Sequence, residues 1–85
     1  MNNKEIIKAI MREKYAFKRE YKDAELYIVL NQQLYKELWD DYINYWTEKF
    51  AGALVAHVAI CGIEIVKDFP LNENEEYRII IKNKT

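Results

Sequence analysis

Hydrophobic positions along this chain recur with two different periods, and the changes between them mark the elements. Ile6, Ile7, Ile10, Met11 and Tyr15 follow the three-to-four spacing of a helix, with Lys4, Lys8, Arg12 and Glu13 on the other side. Asn2 or Asn3 is placed to cap it, and Glu5 suits the positive end of the helix dipole. The spacing predicts a helix over residues 3–20. Glu25–Leu30 (ELYIVL) is short, β-branched and aromatic, which predicts a strand. Asn31 then caps a second helix, expected to run to about Phe50. Gly62–Asp68 and Glu76–Lys82 read as two further strands. In the second of these Tyr77, Ile79 and Ile81 point one way and Arg78, Ile80 and Lys82 the other. Between them FPLNENE, with the one proline, reads as a turn or short loop.

Ala51–Cys61 carries both signals. Its alanines allow a helix, whereas Val55, Val58 and Ile60 favour extension and Gly52 weakens the helix. A strand over Leu54–Ile60 is expected. The predicted fold is α+β: two helices packed on one face of a small, mostly antiparallel sheet of three to four strands. At 85 residues the chain supports one core, so residues 1–85 are read as a single compact domain.

Composition removes several function classes. A content of 51% hydrophobic and 32% charged residues is unlike that of disordered chains. A net charge of −1 supplies no field to draw in nucleic acid or an anionic membrane, so neither is expected as a partner. One cysteine cannot form an internal disulfide. The amphipathic N-terminus is not a signal peptide, and the longest charge-free run, Phe50–Ile63, is shorter than the ~20 residues that span a bilayer. A soluble, cytoplasmic protein is the expectation.

His57 and Cys61, the one histidine and the one cysteine, stand four apart. A structural zinc site needs four ligands, so only a dimer contributing two such pairs could close the shell. A Cys-His nucleophile needs an orienting group and an oxyanion hole, and no Gly-rich turn near Cys61 supplies the latter. Both residues are therefore read as part of the core or a sheet edge, with no metal and no cofactor. There is no serine, no Gly-rich phosphate loop and no His-Glu-x-x-His. The chain is not expected to be an enzyme.

On a helical wheel the second helix carries an apolar arc wider than one neighbour needs, with Tyr35, Trp39, Ile43 and Trp46 along its outer edge. Either the first helix covers this edge, or it meets a second copy of the chain or another protein. The opposite side carries Glu37, Asp40, Asp41 and Glu48, an acidic row that is either simply solvated or a surface for a basic partner. Arg12, Lys14, Lys18, Arg19 and Lys22 gather at the end of the first helix, so the near-zero net charge conceals a dipole.

The order of these motifs is a strand ELYIVLN, a helix with Leu-Tyr-x-x-Leu-Trp (Leu34–Trp39), Cys-Gly-Ile-Glu-Ile-Val, an acidic loop, and a closing Tyr-Arg-Ile-Ile-Ile. Over residues 25–82 this resembles small accessory proteins of tailed phages of low-GC Gram-positive bacteria, and it is similar to part of the tailed-phage capsid fold. The resemblance implies host takeover by binding: an inhibitor of a bacterial host or defence protein, of the anti-CRISPR type, with the acidic row occupying a nucleic-acid site. It implies no catalytic residue. A small self-associating virion or assembly component, and a metal- or ligand-binding dimer, are the alternatives.

Overall fold

A computed structural model describes residues 2–67 and 69–82, and shows why each segment adopts its conformation. Helix α1 spans Asn3–Glu20. It begins where the Asn2 side chain accepts the Glu5 N–H at 2.9 Å, and it buries Ile6 and Ile10, one turn apart. Strand β1, Leu26–Leu30, buries four of its five residues. Asn31 caps α2 by accepting the Leu34 N–H at 2.7 Å, and Leu34 and Leu38 face inward.

Helix α2 covers Gln32–Tyr42 only. The expected continuation to Phe50 is wrong: Ile43 leaves the helix at φ −99°, ψ 125° and begins β2, Ile43–Phe50. No Gly or Pro breaks the helix there. Pairing of Ile43 with Ile60 and the β-favouring residues that follow (Tyr45, Trp46, Thr47, Phe50) override the wheel pattern. Strand β3 is Ala53–Ile60, as expected to within a residue; β4 is Ile63–Ile65 and β5 is Tyr77–Ile81. β4 is shorter than the expected Gly62–Asp68, since Gly62 is in the turn and Val66 and Lys67 are not strand; Asp68 lies outside the described residues.

The sheet has five strands in the order β2-β3-β4-β1-β5, one or two more than expected, and it is mixed. β1 runs parallel to β4 and antiparallel to β5, and the remaining pairs are antiparallel. Register settles the faces. Leu26, Ile28, Leu30, Ile60, Ile63 and Ile65 point to one side, where Ile6 and Ile10 of α1 and Leu34 and Leu38 of α2 complete the core. Both helices thus pack on one face, and Tyr27, Val29, His57 and Trp46 belong to the other.

Two tight turns govern the β2-β3-β4 run. Ala51-Gly52 has φ 51° and 82°, and Cys61-Gly62 has φ 53° and 76°. Two residues at positive φ make the type I′ turn whose twist matches that of a hairpin. Glycine fits the second position, but Ala51 and Cys61 carry a Cβ in the left-handed region, at a cost of about 1 kcal/mol each. Cys61 also packs against the core, whereas Ala51 is exposed. Ala51→Asn is therefore expected to raise the unfolding free energy by about 0.5–1 kcal/mol in urea denaturation, since asparagine tolerates this conformation.

Polar clasps tie α1 to the sheet. Lys14 Nζ donates to the Cys61 carbonyl at 2.7 Å, across the back of the β3-β4 turn. The Tyr77 hydroxyl donates to the Glu13 carboxylate, and burial together with that bond pushes the Tyr77 hydroxyl well above its ordinary value of 10. The folded chain therefore holds this proton more tightly than the unfolded chain. Its stabilising contribution is complete below pH 10 and fades as pH climbs beyond it. Tyr77→Phe should lose up to about 1 kcal/mol at neutral pH. It should also flatten the fall in stability expected of the parent above pH 10 in denaturant titrations. From β5, Arg78 grips Glu75 of the preceding loop through Nε and Nη2 at 2.9 and 2.6 Å, and Asn72 and Glu75 close a turn there.

Candidate functional site

Burial along β3 falls steadily from its root, where Ala59 and Ile60 are in the core, to its tip, where Ala53–Ala56 are exposed. β2 beside it is half-buried only at Ile43. The distal part of the hairpin therefore stands clear of the body. The molecule measures 42 × 30 × 23 Å, with a radius of gyration of 13.5 Å against about 12 Å for a compact chain of this length. Phe50 and Leu54 near the tip are 71% and 69% exposed, and Tyr45 is 58% exposed. Among residues 51–67 only Ala59, Ile60, Ile63 and Ile65 are buried, and His57 and Cys61 are half-buried.

The residues singled out from the sequence are distributed over three surfaces. Tyr35 and Trp39 on α2 lean on one another at 5.6 Å between ring centroids, and Tyr45 of β2 continues the chain at 6.3 Å from Trp39. This aromatic row sits at the root of the hairpin on the helix-bearing side, with Ile43 half-buried beside it. Its neighbours are β2 and Lys67, whose Nζ lies 5.4 Å from the Tyr35 ring centroid. Trp46 is not part of the row. Because β2 is a strand, Trp46 points to the other face, where it stacks on His57 at 5.2 Å and 17°. Glu37, Asp40 and Asp41 remain together on α2, exposed and, among the described residues, without an ion pair. Glu48 is separated from them: it is on the hairpin, bound to His57.

On the face away from the helices, the His57 ring is held on three sides. Nε2 lies 2.8 Å from Glu48 Oε1, Nδ1 lies 3.6 Å from Glu64 Oε1, and Trp46 covers one flat side. Only the Glu48 contact is short enough to be a hydrogen bond; Glu64 stands farther off on the opposite side of the ring. Cys61, in contrast, packs with the core cluster on the helix side, so the pair four apart in sequence is not brought together. Burial raises the Cys61 thiol above its ordinary value, with Lys14 opposing in part. Such a thiol carries little thiolate and is a poor nucleophile. Among the described residues, no three of His, Cys, Asp and Glu are placed to hold a metal ion. No described helix is long and apolar enough to cross a membrane.

Phe50, Leu54 and Val55 are exposed apolar side chains of the hairpin that the sequence pattern did not single out as a contact surface. The available signal was the pair of dipeptides Ala51-Gly52 and Cys61-Gly62, each ending on the glycine a type I′ turn requires, with Val, Leu and Ile between them. Neither a family model, nor a curated protein, nor a solved structure matches this chain.

Proposed function

We propose that the protein acts by binding another protein, without catalysis, and that the β2-β3 hairpin with the aromatic row at its root is the contact surface. The observation that supports it is an expenditure the fold does not need. Tyr45, Trp46, Phe50, Leu54 and Val55 stand at least one-third exposed on an arm outside the core cluster. Apolar side chains gathered on a projecting arm mark an interaction surface more often than chance exposure does. For the partner we take a bacterial host or defence protein, because the motif order resembles tailed-phage accessory proteins. Glu37, Asp40 and Asp41 then offer a carboxylate patch to a basic surface of that partner.

Shortening the arm tests this. Replacing Thr47–Ala56 by Asn-Gly leaves Trp46 and His57 as the pair flanking a type I′ turn, so the body keeps its register. The shortened protein should unfold cooperatively like the parent and lose the partner that the parent captures from bacterial lysate. Undiminished capture would overturn the proposal. The same variant decides whether the protein instead works by self-association, an idea favoured by the eight-residue outer edge of β2, which among the described residues has no strand beside it. In that case light scattering gives an oligomer for the parent and a monomer for the variant.

A further inference from the structure

We infer that the fork between β3 and β4 receives an extended segment of the partner as an added strand, one in which apolar residues alternate with Lys or Arg. This rests on the binding role proposed above and names its chemistry. The β3-β4 ladder ends at Ala59 opposite Glu64. Beyond that point β4 follows β1, with Ile65 opposite Ile28 and the Val66 N–H bonded to the Ile28 carbonyl at 2.9 Å, while β3 continues outward to Ala53. The two strands part, and a cleft of about 430 Å³ opens between them.

Backbone alternation aims the edge of β3 into this opening. Phe50 and Ala53 flank a two-residue turn, so they and every second pair from them (Glu48 with Val55, Trp46 with His57) bond within the hairpin. The N–H and C=O groups of Leu54 and Ala56 consequently face the side on which, among the described residues, no strand pairs with this part of β3. An unpaired, exposed strand edge is a template for an incoming strand.

The walls of the cleft differ in chemistry from one face of the sheet to the other. On the helix side it is lined by Tyr35, Trp39, Tyr45, Val58 and Ile65, an aromatic and apolar wall whose one charge, Lys67, lies over the Tyr35 ring. On the other side are His57 and Glu64, with Glu48 2.8 Å from the His57 ring. An added strand presents successive side chains to opposite faces. Its residues of one parity meet the aromatic wall, and those of the other meet two carboxylates that flank one imidazole. That complementarity selects apolar residues for the first set and basic residues for the second.

The test uses the full-length ¹⁵N-labelled protein and a capped octapeptide of alternating Val and Lys as the probe. Titration should move the Leu54, Ala56 and Val58 amides and slow their hydrogen exchange at least ~10-fold. The Val/Glu counterpart should bind at least ~10-fold more weakly. Ala56→Pro removes an N–H that faces the fork rather than β2, so the hairpin survives and binding should be lost. A Val/Lys peptide N-methylated on the alternate residues that pair with β3 should not bind the parent. Equal binding by the Val/Glu peptide, by Ala56→Pro or by the N-methylated peptide would overturn the inference. So would shifts confined to Tyr45 and Thr47 on the outer edge, or concentration-dependent protection of Ala56 without peptide, which would mean a second copy fills the fork. If Ala56→Pro still captures the lysate partner and the shortened arm does not, the strand-addition mode fails while the binding role stands.

Discussion

Ile60→Ala is expected to lower the unfolding free energy by about 3 kcal/mol, the largest loss foreseen from any single change here. Ile60 is fully buried and lies opposite Ile43 on β2 and Ile63 on β4, so it is where the hairpin is anchored in the core. It belongs to the buried cluster that includes Ile6, Ile10, Leu34 and Leu38 of the helices, and a void opened in such a core collapses only in part. A domain of this size has only about 4–13 kcal/mol to lose. Urea denaturation followed by far-UV circular dichroism gives the value, and Ile60→Val, at about 1 kcal/mol, provides the scale. A loss below about 1 kcal/mol for Ile60→Ala would mean that the hairpin root is not held by the core.

Trp39→Ala should weaken partner binding about 30-fold or more, the cost of a central aromatic anchor, while the fold survives because Trp39 is 40% exposed. Trp39 is the middle member of the Tyr35–Trp39–Tyr45 row, so its removal also leaves the two tyrosines without mutual support. The loss should change little with salt, since buried area rather than charge is lost. The pair Glu37→Lys with Asp41→Lys makes a contrasting forecast. These carboxylates are exposed one turn apart on α2, and reversing them should shift stability by only ~0.5 kcal/mol. If they meet a basic partner, the double reversal abolishes binding, and the parent associates more slowly as salt is raised from 0.05 to about 0.5 M. Calorimetry with the captured partner separates the two. A double reversal that binds like the parent, beside a crippled Trp39→Ala, assigns recognition to the aromatic row and removes the acidic patch from the interface.

The elements legible in the sequence are those whose burial imposes a period. α1 shows Ile6 and Ile10 one turn apart behind an asparagine cap, and β5 alternates from Tyr77 to Ile81, so both were expected within a residue or two of where they lie. β2 was misread because burial does not pattern it. Past Ile43 both of its faces meet solvent, so apolar and polar residues need not alternate, and Tyr45, Trp46 and Phe50 happen to extend the wheel of Leu34 and Leu38. The candidate surface was affected by the same error. Tyr35 and Trp39 do form an aromatic row, but the strand's period of two turns Trp46 to the opposite face and carries Glu48 to His57. The β3-β4 fork could not be foreseen, because it depends on where a parallel partner draws β4 away from β3, and sequence periodicity carries no information about strand order.

The topology also sets a timetable. β1 is the fourth strand of the five, and its neighbours are β4 and β5, so Leu26–Leu30 waits for residues 63–65 and 77–81 before it is paired on either side. The hairpin needs only the residues adjacent to it and closes within about 1–10 μs. During synthesis at ~5–20 residues per second, the interval between residues 60 and 81 is about 1–4 s. For that interval the nascent chain presents a finished, apolar arm on an unfinished body. The arm proposed as the contact surface is therefore complete before the central strand is paired, a consequence of strand order alone.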